Sequence, residues 1–280
     1  MGVSRLILCL SLFSLSLLTI QCGDHSQDSH LSVIGGKKPS KLISQHVVAL
    51  MSRNMQVFCT GSIISDKYIL TAAHCVDDKE VPYYIAFGND FTNLSFVEMR
   101  QLAKSNLRKI SKIHSHKDFE LDPLVFGDKY IISENAVDDI ALLKFSGDLP
   151  LGYEPVKIAQ EKDFVSLKDT VHMAGYGLQE IPGVSRLGKR VFSGGSGKLH
   201  YVSTFVSLKH NVTREILTGP YVGKAVCKGD SGGPMFKVEK FGNKKQLVQV
   251  GIASRSDCVS EGAHTNVFHY LDWIESIISE

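Results

Sequence analysis

Short apolar or alternating segments beyond residue 32 place the strongest limit on the fold of this chain. Clusters of Gly, Asn, Asp and Ser separate these segments, as expected for β-strands joined by turns. Many short strands at loose spacing are typical of closed antiparallel sheets, so the sequence predicts an all-β fold. The predicted strands cover residues 46–51, 58–65, 83–87, 140–145, 170–174, 198–208 and 246–252.

One helix is predicted, and it lies at the end of the chain. Its apolar residues recur at helical spacing, which gives an α-helix a single apolar face. These residues are Val267, Tyr270, Leu271, Ile274, Ile277 and Ile278. Residues 146–155, where Gly and Pro concentrate, are predicted to join two strand-rich halves.

Composition excludes two classes of protein. The 280 residues include 31 Lys and Arg against 29 Asp and Glu, and 43% are hydrophobic. A nearly neutral chain with this much apolar sequence is neither a disordered tail protein nor a polybasic nucleic-acid binder. We therefore expect a globular enzyme or binding domain with no nucleic-acid partner.

The N-terminus has the pattern of a secretory signal. Residues 1–5 carry one positive charge, and residues 6–20 form an apolar, Ser-containing run without charge. This run is short for a membrane span of about 20 residues, so residues 1–22 are predicted to be a signal peptide rather than an uncleaved anchor. The rest of the chain is expected to be secreted and to fold where disulfides persist.

Three separated motifs carry residues suited to nucleophilic catalysis. His74 directly precedes Cys75 in the motif TAAHC, and Asp139 lies at the mouth of an apolar strand in DDIALL. Ser231 stands among glycines in GDSGGP, where a tight turn lets backbone N–H groups face a substrate. Each motif alone is weak evidence, because a single His or a Gly-rich segment is common in loops.

Together, in the order His, Asp, Ser, these motifs resemble the chymotrypsin/trypsin-like serine proteases. The resemblance covers residues 33–280 and includes the segments VIGG at 33–36, FCTGSII at 58–64 and LDWI at 271–274. It implies two six-stranded antiparallel β-barrels packed face to face, with a C-terminal helix and the active cleft between the barrels. Barrel 1 would extend over about 33–150 and barrel 2 over about 151–280.

The resemblance also implies the role of each residue in peptide-bond hydrolysis. Ser231 would be the nucleophile, His74 the general base and acid, and Asp139 the group that orients the imidazole. The N–H groups of Gly229 and Ser231 would form the oxyanion hole. Ser254 would donate a hydrogen bond to Asp139. Asp138, by contrast, is expected to be solvated.

Six cysteines follow a pattern that the resemblance explains in part. It implies the pairs Cys59–Cys75 and Cys227–Cys258, while Cys9 lies within the signal peptide. Cys22 remains. It would leave with the propeptide, pair with another chain, or carry a lipid if this is a bacterial envelope lipoprotein, although Gln21 suits lipid attachment poorly. No metal site and no cofactor are expected.

Activation is expected to depend on Val33 and Asp230. In the family, cleavage before the VIGG-type segment frees an amine that pairs with the aspartate beside the nucleophile. Residues 23–32 would then be a propeptide. The residue before the cut is Ser32, and residues 24–36 contain no Lys or Arg. We therefore expect self-processing or an activator without trypsin-like specificity.

The substrate pocket implied by the resemblance has no carboxylate at its floor. That floor falls at Ala225, where trypsin-like members have Asp, so Lys or Arg recognition is not expected. An open, uncharged pocket predicts apolar specificity, whereas cations around it would draw an acidic side chain, with His264 sensitive to pH. The expected substrate-binding residues are Ala225, Val226, Lys228, Ser254, Arg255, Ser256, Gly262 and His264.

Two rival functions remain to be weighed. The α/β-hydrolases share a G-x-S-x-G segment, but their triad order is Ser, acid, His, and too few residues follow Ser231 here. A non-catalytic or latent protease homologue, acting as a binding module, is the stronger alternative. The enzyme interpretation predicts a monomer with peptide or protein substrates and, as further partners, protease inhibitors.

Overall fold

The computed structural model of the chain describes residues 34–77, 81–120, 137–180, 182–185, 190–191 and 196–280. The predicted signal peptide and propeptide, with Cys9, Cys22 and Val33, lie outside the described residues. Within those residues, no helix is long and apolar enough to cross a membrane.

The strands of the N-terminal half form a closed antiparallel barrel. Around it the order is β1-β2-β3-β6-β5-β4. Alternate residues of β1 point to opposite sides, and all of them are buried. Val48 and Leu50 lie in the core of this barrel, while Val47, Ala49 and Met51 belong to a different cluster. The strands are β1 Val47–Met51, β2 Val57–Ile63, β3 Tyr68–Thr71, β4 Tyr84–Ala86, β5 Leu107–Ser115 and β6 Ala141–Phe145.

The C-terminal half forms a second closed barrel. Its order is β13-β8-β11-β12-β15-β14, and antiparallel pairing of β13 with β14 completes the ring. Strand β7 adds to β14 in parallel, and β9 pairs with β10 in a separate two-stranded sheet. The strands are β7 Lys157–Ile158, β8 Thr170–Gly175, β9 Gly183–Val184, β10 Arg190–Val191, β11 His200–His210, β12 Glu215–Thr218, β13 Pro234–Phe241, β14 Lys244–Ser256 and β15 Gly262–Asn266.

A shared apolar core joins the two barrels. The outward residues of β1 pack with Tyr176, Phe236 and Leu247 of the second barrel. Burial of this surface on both sides holds the barrels in one arrangement, and the fold prediction of two six-stranded barrels is confirmed. Residues 146–155, where the boundary was predicted, connect β6 to β7.

The C-terminal helix is also confirmed. It begins as a 3₁₀ turn over Val267–Tyr270 and continues as the α-helix Leu271–Ile278. The sequence prediction missed two other helices, α1 Lys41–Ser44 and α2 Phe96–Ser105, so the terminal helix is α3. Helix α2 begins with a capping box in which Ser95 and Glu98 bond each other's backbone N–H groups. Its weak apolar stripe gave no periodic signal.

Candidate active site

His74 is fixed on a 3₁₀ turn that directly follows β3. The turn, Ala73–Cys75, is held by a disulfide between Cys75 and Cys59 of β2, with an S–S distance of 2.03 Å. The backbone N–H of His74 donates to Asp139 Oδ1 at 2.9 Å, and its ring Nδ1 lies 2.8 Å from Asp139 Oδ2. Two bonds to one carboxylate thus fix both the backbone and the ring of His74.

Asp139 is fully buried at the point where the two barrels meet. Its Oδ2 also accepts a hydrogen bond from Ser254 Oγ at 2.5 Å, and its backbone oxygen accepts one from Thr265 Oγ1 at 2.9 Å. Burial by itself raises the pKa of Asp139, but His74 and the hydrogen-bond donors outweigh it, so the net shift is downward. The carboxyl group is therefore ionised at neutral pH.

The expectation that Asp138 is solvated was wrong. Its side chain is 8% exposed, and Oδ1 accepts hydrogen bonds from Arg214 Nη1 at 3.0 Å and from the hydroxyl of Tyr270 at 2.7 Å. Both donors come from the C-terminal half of the chain. Their distance along the sequence explains why local patterns gave no sign of them.

The Ser231 loop packs against barrel 1. The backbone N–H of Thr60 donates to the backbone oxygen of Ser231 at 2.8 Å, and the hydroxyl of Thr60 donates to the backbone oxygen of Gly229 at 2.8 Å. Gly232 has a φ of +78°, and a Cβ there would press on the backbone of Thr60 and Ala72. The loop is thus held next to the His74 turn by contacts that only a glycine permits.

Two backbone N–H groups of this loop remain available. Gly229 has a φ of +96°, and neither its N–H nor that of Ser231 donates to any described residue. Asp230 and Gly232, in contrast, donate to Cys227 and Ala253. The disulfide between Cys227 and Cys258 closes the loop at its other end, so both predicted disulfides are confirmed.

Asp230 lies buried beneath the loop. Its oxygens accept backbone hydrogen bonds from Gly177 at 2.8 Å and Cys227 at 2.9 Å. Burial outweighs these bonds and raises the pKa of Asp230 to about 7. No ion pair of this carboxylate occurs in the described part of the chain. Ile34, which follows Val33, is 2% exposed and forms a bridge with Ala225.

The residues expected to line the pocket differ in burial. Ala225 and Val226 are buried, Lys228 is exposed, and Ser256 Oγ donates to the Glu261 oxygen at 2.7 Å. A Cβ on Gly262 would lie 3.1 Å from Nε2 of His264. Ala225, Val226 and Gly262 are therefore small, Ser256 is bonded within the protein, and Lys228 lies at the surface.

His264 is fully buried. Its Nε2 lies 3.0 Å from the hydroxyl of Thr218. Burial, with a smaller contribution from Arg255, lowers the pKa of His264 to about 3. The ring is therefore uncharged near neutral pH and does not act there as the pH-sensitive cation of the acidic-specificity hypothesis.

Arg255 is occupied by an internal partner. Its side chain is 5% exposed, and Nη2 lies 2.6 Å from Oε1 of Glu215, which is 3% exposed. Burial raises the pKa of Glu215, while Arg255 opposes the shift. Glu215 could not be predicted from the sequence, because no local pattern links a residue of β12 to its partner on β14.

One cluster has the composition of a metal site but not its chemistry. Nitrogen and sulfur atoms of Cys59, His74 and Cys75 lie within 4.8 Å of one another. Both cysteines are joined in a disulfide, and a disulfide sulfur is not the thiolate that binds zinc. This group of residues is therefore explained by the protein's own covalent structure.

Comparison with known proteins identifies the family. A family model described as Trypsin matches residues 33–274. The chain belongs to the trypsin family. The prediction made from the His, Asp and Ser motifs is thereby confirmed at the level of family, with the match beginning at Val33.

Three relatives have sequences similar to that of this trypsin-family chain. CLIP domain-containing serine protease B15 of Anopheles gambiae is 27% identical over 234 residues, 79% of this chain and 61% of that protein. Phenoloxidase-activating factor 3 of Holotrichia diomphalia is 27% identical over 246 residues, which cover 78% of this chain and 63% of that protein. This chain thus spans about three fifths of both. Beta-fibrinogenase of Macrovipera lebetinus is 25% identical over 279 residues, which cover 94% of this chain and 93% of that protein.

Proposed function

We propose that the chain is a secreted serine endopeptidase that works through an acyl-enzyme intermediate. The observation that carries this proposal is the pair of bonds, 2.9 and 2.8 Å long, between the buried Asp139 carboxylate and His74. An ionised carboxylate at Nδ1 keeps the ring proton there. Nε2 is then the nitrogen that can accept a proton, as a general base requires.

The reaction proceeds in two transfers. His74 Nε2 removes the proton of Ser231 Oγ while that oxygen attacks the carbonyl carbon of the scissile bond. The tetrahedral intermediate then breaks its C–N bond, and His74 gives the proton to the departing amine. A water molecule attacks the resulting ester in the same way, and Ser231 recovers its proton.

The free N–H groups of Gly229 and Ser231 stabilise the oxyanion of both tetrahedral intermediates. Neither group has a partner among the described residues, so neither has to break a bond within the protein. A single donor of this kind contributes about 10²- to 10³-fold to the rate.

Activation follows from cleavage between Ser32 and Val33 in this proposal. The new amine of Val33 pairs with Asp230, whose buried carboxyl has a pKa raised to about 7. A cation at that position stabilises the ionised form and offsets the cost of burying it. The burial of Ile34 beside Ala225 supports this placement. Ser32 points to self-processing or to an activator that does not select Lys or Arg.

The same site favours apolar side chains as substrates. Ala225 and Val226 bring no charge to the pocket floor, and Gly262 leaves room above it. Glu215 neutralises Arg255, and His264 is uncharged. Two of the three residues proposed to attract an acidic side chain therefore bring no net positive charge to the pocket. We further propose that the enzyme is a monomer, open to protein inhibitors that occupy the same cleft.

Covalent labelling tests the enzymatic proposal. The secreted chain is treated with an active-site-directed fluorophosphonate, and the labelled species is sequenced from its N-terminus. We expect a label on Ser231 in chains that begin at Val33, and none in the Ser231→Ala variant. A processed chain without label would support the non-catalytic homologue instead. A labelled chain that begins at Gln21 or Asp24 would contradict the activation step alone.

A peptide library tests the specificity. We expect cleavage after apolar residues, with the Ser231→Ala variant giving the background. A strong preference for Lys or Arg would contradict the proposal, because the pocket floor carries no carboxylate. A preference for Asp or Glu would contradict the apolar proposal and support the acidic-specificity hypothesis instead.

A further inference from the structure

The residue before Asp139 is held by a polar cluster that spans both halves of the protein. Asp138 Oδ1 accepts hydrogen bonds from Arg214 Nη1 at 3.0 Å and from the Tyr270 hydroxyl at 2.7 Å. Arg214 also lies over the Tyr270 ring, 5.8 Å from its centre. We call Asp138, Arg214 and Tyr270 the Asp138 clamp.

The members of the clamp come from three different elements. Asp138 lies in the segment that leads into β6 of barrel 1. Arg214 lies in the turn between β11 and β12, and Tyr270 ends the 3₁₀ turn before α3. The backbone oxygen of Arg214 accepts from Asn266 at 2.9 Å, which ties the turn to β15. Arg214 therefore links barrel 2 to the segment that precedes Asp139, and Tyr270, which packs in the core of barrel 1, donates to the same carboxylate.

Burial makes the clamp specific rather than incidental. Asp138 is 8% exposed, and its backbone has a φ of +47°, a left-handed conformation that Asp tolerates better than most residues. Its carboxylate replaces lost water contacts with two donors on one oxygen. The phenol pKa of Tyr270 is raised by burial and then by Asp138, so the hydroxyl stays protonated as a donor.

The position of Asp138 determines that of Asp139. Consecutive Cα atoms are about 3.8 Å apart, so a shift of one residue is passed to the next. Asp139 has two further bonds to barrel 2, from Ser254 and Thr265. Without the clamp, the position of Asp139 would depend on these two contacts and on its two bonds to His74. Glu215, which interacts electrostatically with Asp139, is paired with Arg255.

We propose that Arg214 and Tyr270 are positioning residues, which act through Asp138 to hold Asp139 in register with His74. This inference rests on the proposed peptidase function. The clamp thus supplies, across the barrel interface, an alignment that the triad bonds of barrel 1 do not provide alone. Neither residue contacts the substrate in this proposal.

The test compares Tyr270→Phe, Arg214→Met and the double variant with the wild type. Tyr270→Phe removes only a hydroxyl, so it keeps the aromatic packing. We expect kcat to fall about tenfold to a hundredfold with little change in KM, because a small misplacement of a reacting group has effects of that size. The acidic limb of the pH–rate profile should move to lower pH, because a displaced carboxylate stabilises the imidazolium less. Arg214→Lys, which keeps the charge, should recover part of the loss.

Lys237→Met is the matched control. It removes the 2.6 Å ion pair of Lys237 with Asp169 in barrel 2, away from the clamp. It should lower the melting temperature without moving the pH profile. If the clamp variants behave in the same way, losing stability but keeping kcat and the acidic limb, the positioning role is wrong.

A measurement without turnover separates this inference from the proposed function. In the Ser231→Ala background, the NMR signal of the His74 Nδ1 proton and the titration of its ring report on Asp139 directly. A weakened proton signal and a lower titration midpoint in Tyr270→Phe would support the clamp even if the wild type were inactive. Unchanged signals would overturn it, whatever the labelling of Ser231 shows.

Discussion

Asp139→Asn is expected to lower kcat about 10⁴-fold, the established loss when this carboxylate is replaced in the Ser-His-Asp constellation. The hydrogen bonds of this chain give the reason. Oδ1 accepts the backbone N–H of His74 at 2.9 Å, so the amide oxygen of Asn would take that place. Its NH₂ group would then face Nδ1, which is 2.8 Å from Oδ2 in the native chain. The ring would carry its proton on Nε2 and could not accept the proton of Ser231.

Kinetics on a peptide ester and an amide substrate would measure this loss. Asp148→Asn is the matched control, because it makes the same change at a carboxylate that is 96% exposed and bound to Lys67. It should leave kcat within about twofold, since an exposed ion pair contributes little. A loss of less than tenfold in Asp139→Asn would contradict the assigned role of Asp139, provided the circular dichroism spectrum is native.

Local motifs were enough to predict the family, and the resemblance then implied the two barrels and both disulfides. His74 with Cys75, Asp139 at the mouth of its strand and Ser231 among glycines are each visible in a few consecutive residues. Each predicted strand overlaps an observed one, because short apolar or alternating runs indicate strands. Strands β3, β5, β7, β9, β10, β12, β13 and β15 were not predicted; of these, β3, β12 and β15 are buried throughout and show no alternation.

The polar pairs that surround the site could not be predicted from the sequence. Arg214 reaches Asp138 across 76 positions, and the pairing depends on how two barrels dock. The partner of Arg255 is likewise decided by the register of β12 and β14 on either side of β15. A carboxylate or guanidinium is expected at the surface by default, so Asp138 was expected to be solvated and Arg255 to contact the substrate.

The fold also changes how the pocket is understood. Three cations were considered as determinants of acidic specificity, and all three are present in the chain. Of these three residues, only Lys228 is exposed. Burial removes the charge of His264, and Glu215 neutralises the charge of Arg255. Charged residues around a pocket thus predict its substrate specificity only once their partners within the protein are known.

Arg255→Met is expected to destabilise the protein by about 3–5 kcal/mol, the cost of leaving a buried charge without its partner. The side chains of Arg255 and Glu215 are 5% and 3% exposed, so water cannot solvate the carboxylate that remains. The double variant Arg255→Met, Glu215→Leu removes both charges. It should recover most of the loss, because packed apolar residues often replace a buried ion pair at no net cost.

Urea denaturation in the Ser231→Ala background, which prevents self-digestion, would measure these free energies of unfolding. Lys67→Met removes the exposed pair with Asp148 and should cost at most about 1 kcal/mol. Additive losses, with the double variant less stable than either single one, would show that each residue contributes through separate packing. Recovery in the double variant would instead show that Arg255 is retained for its charge pairing with Glu215.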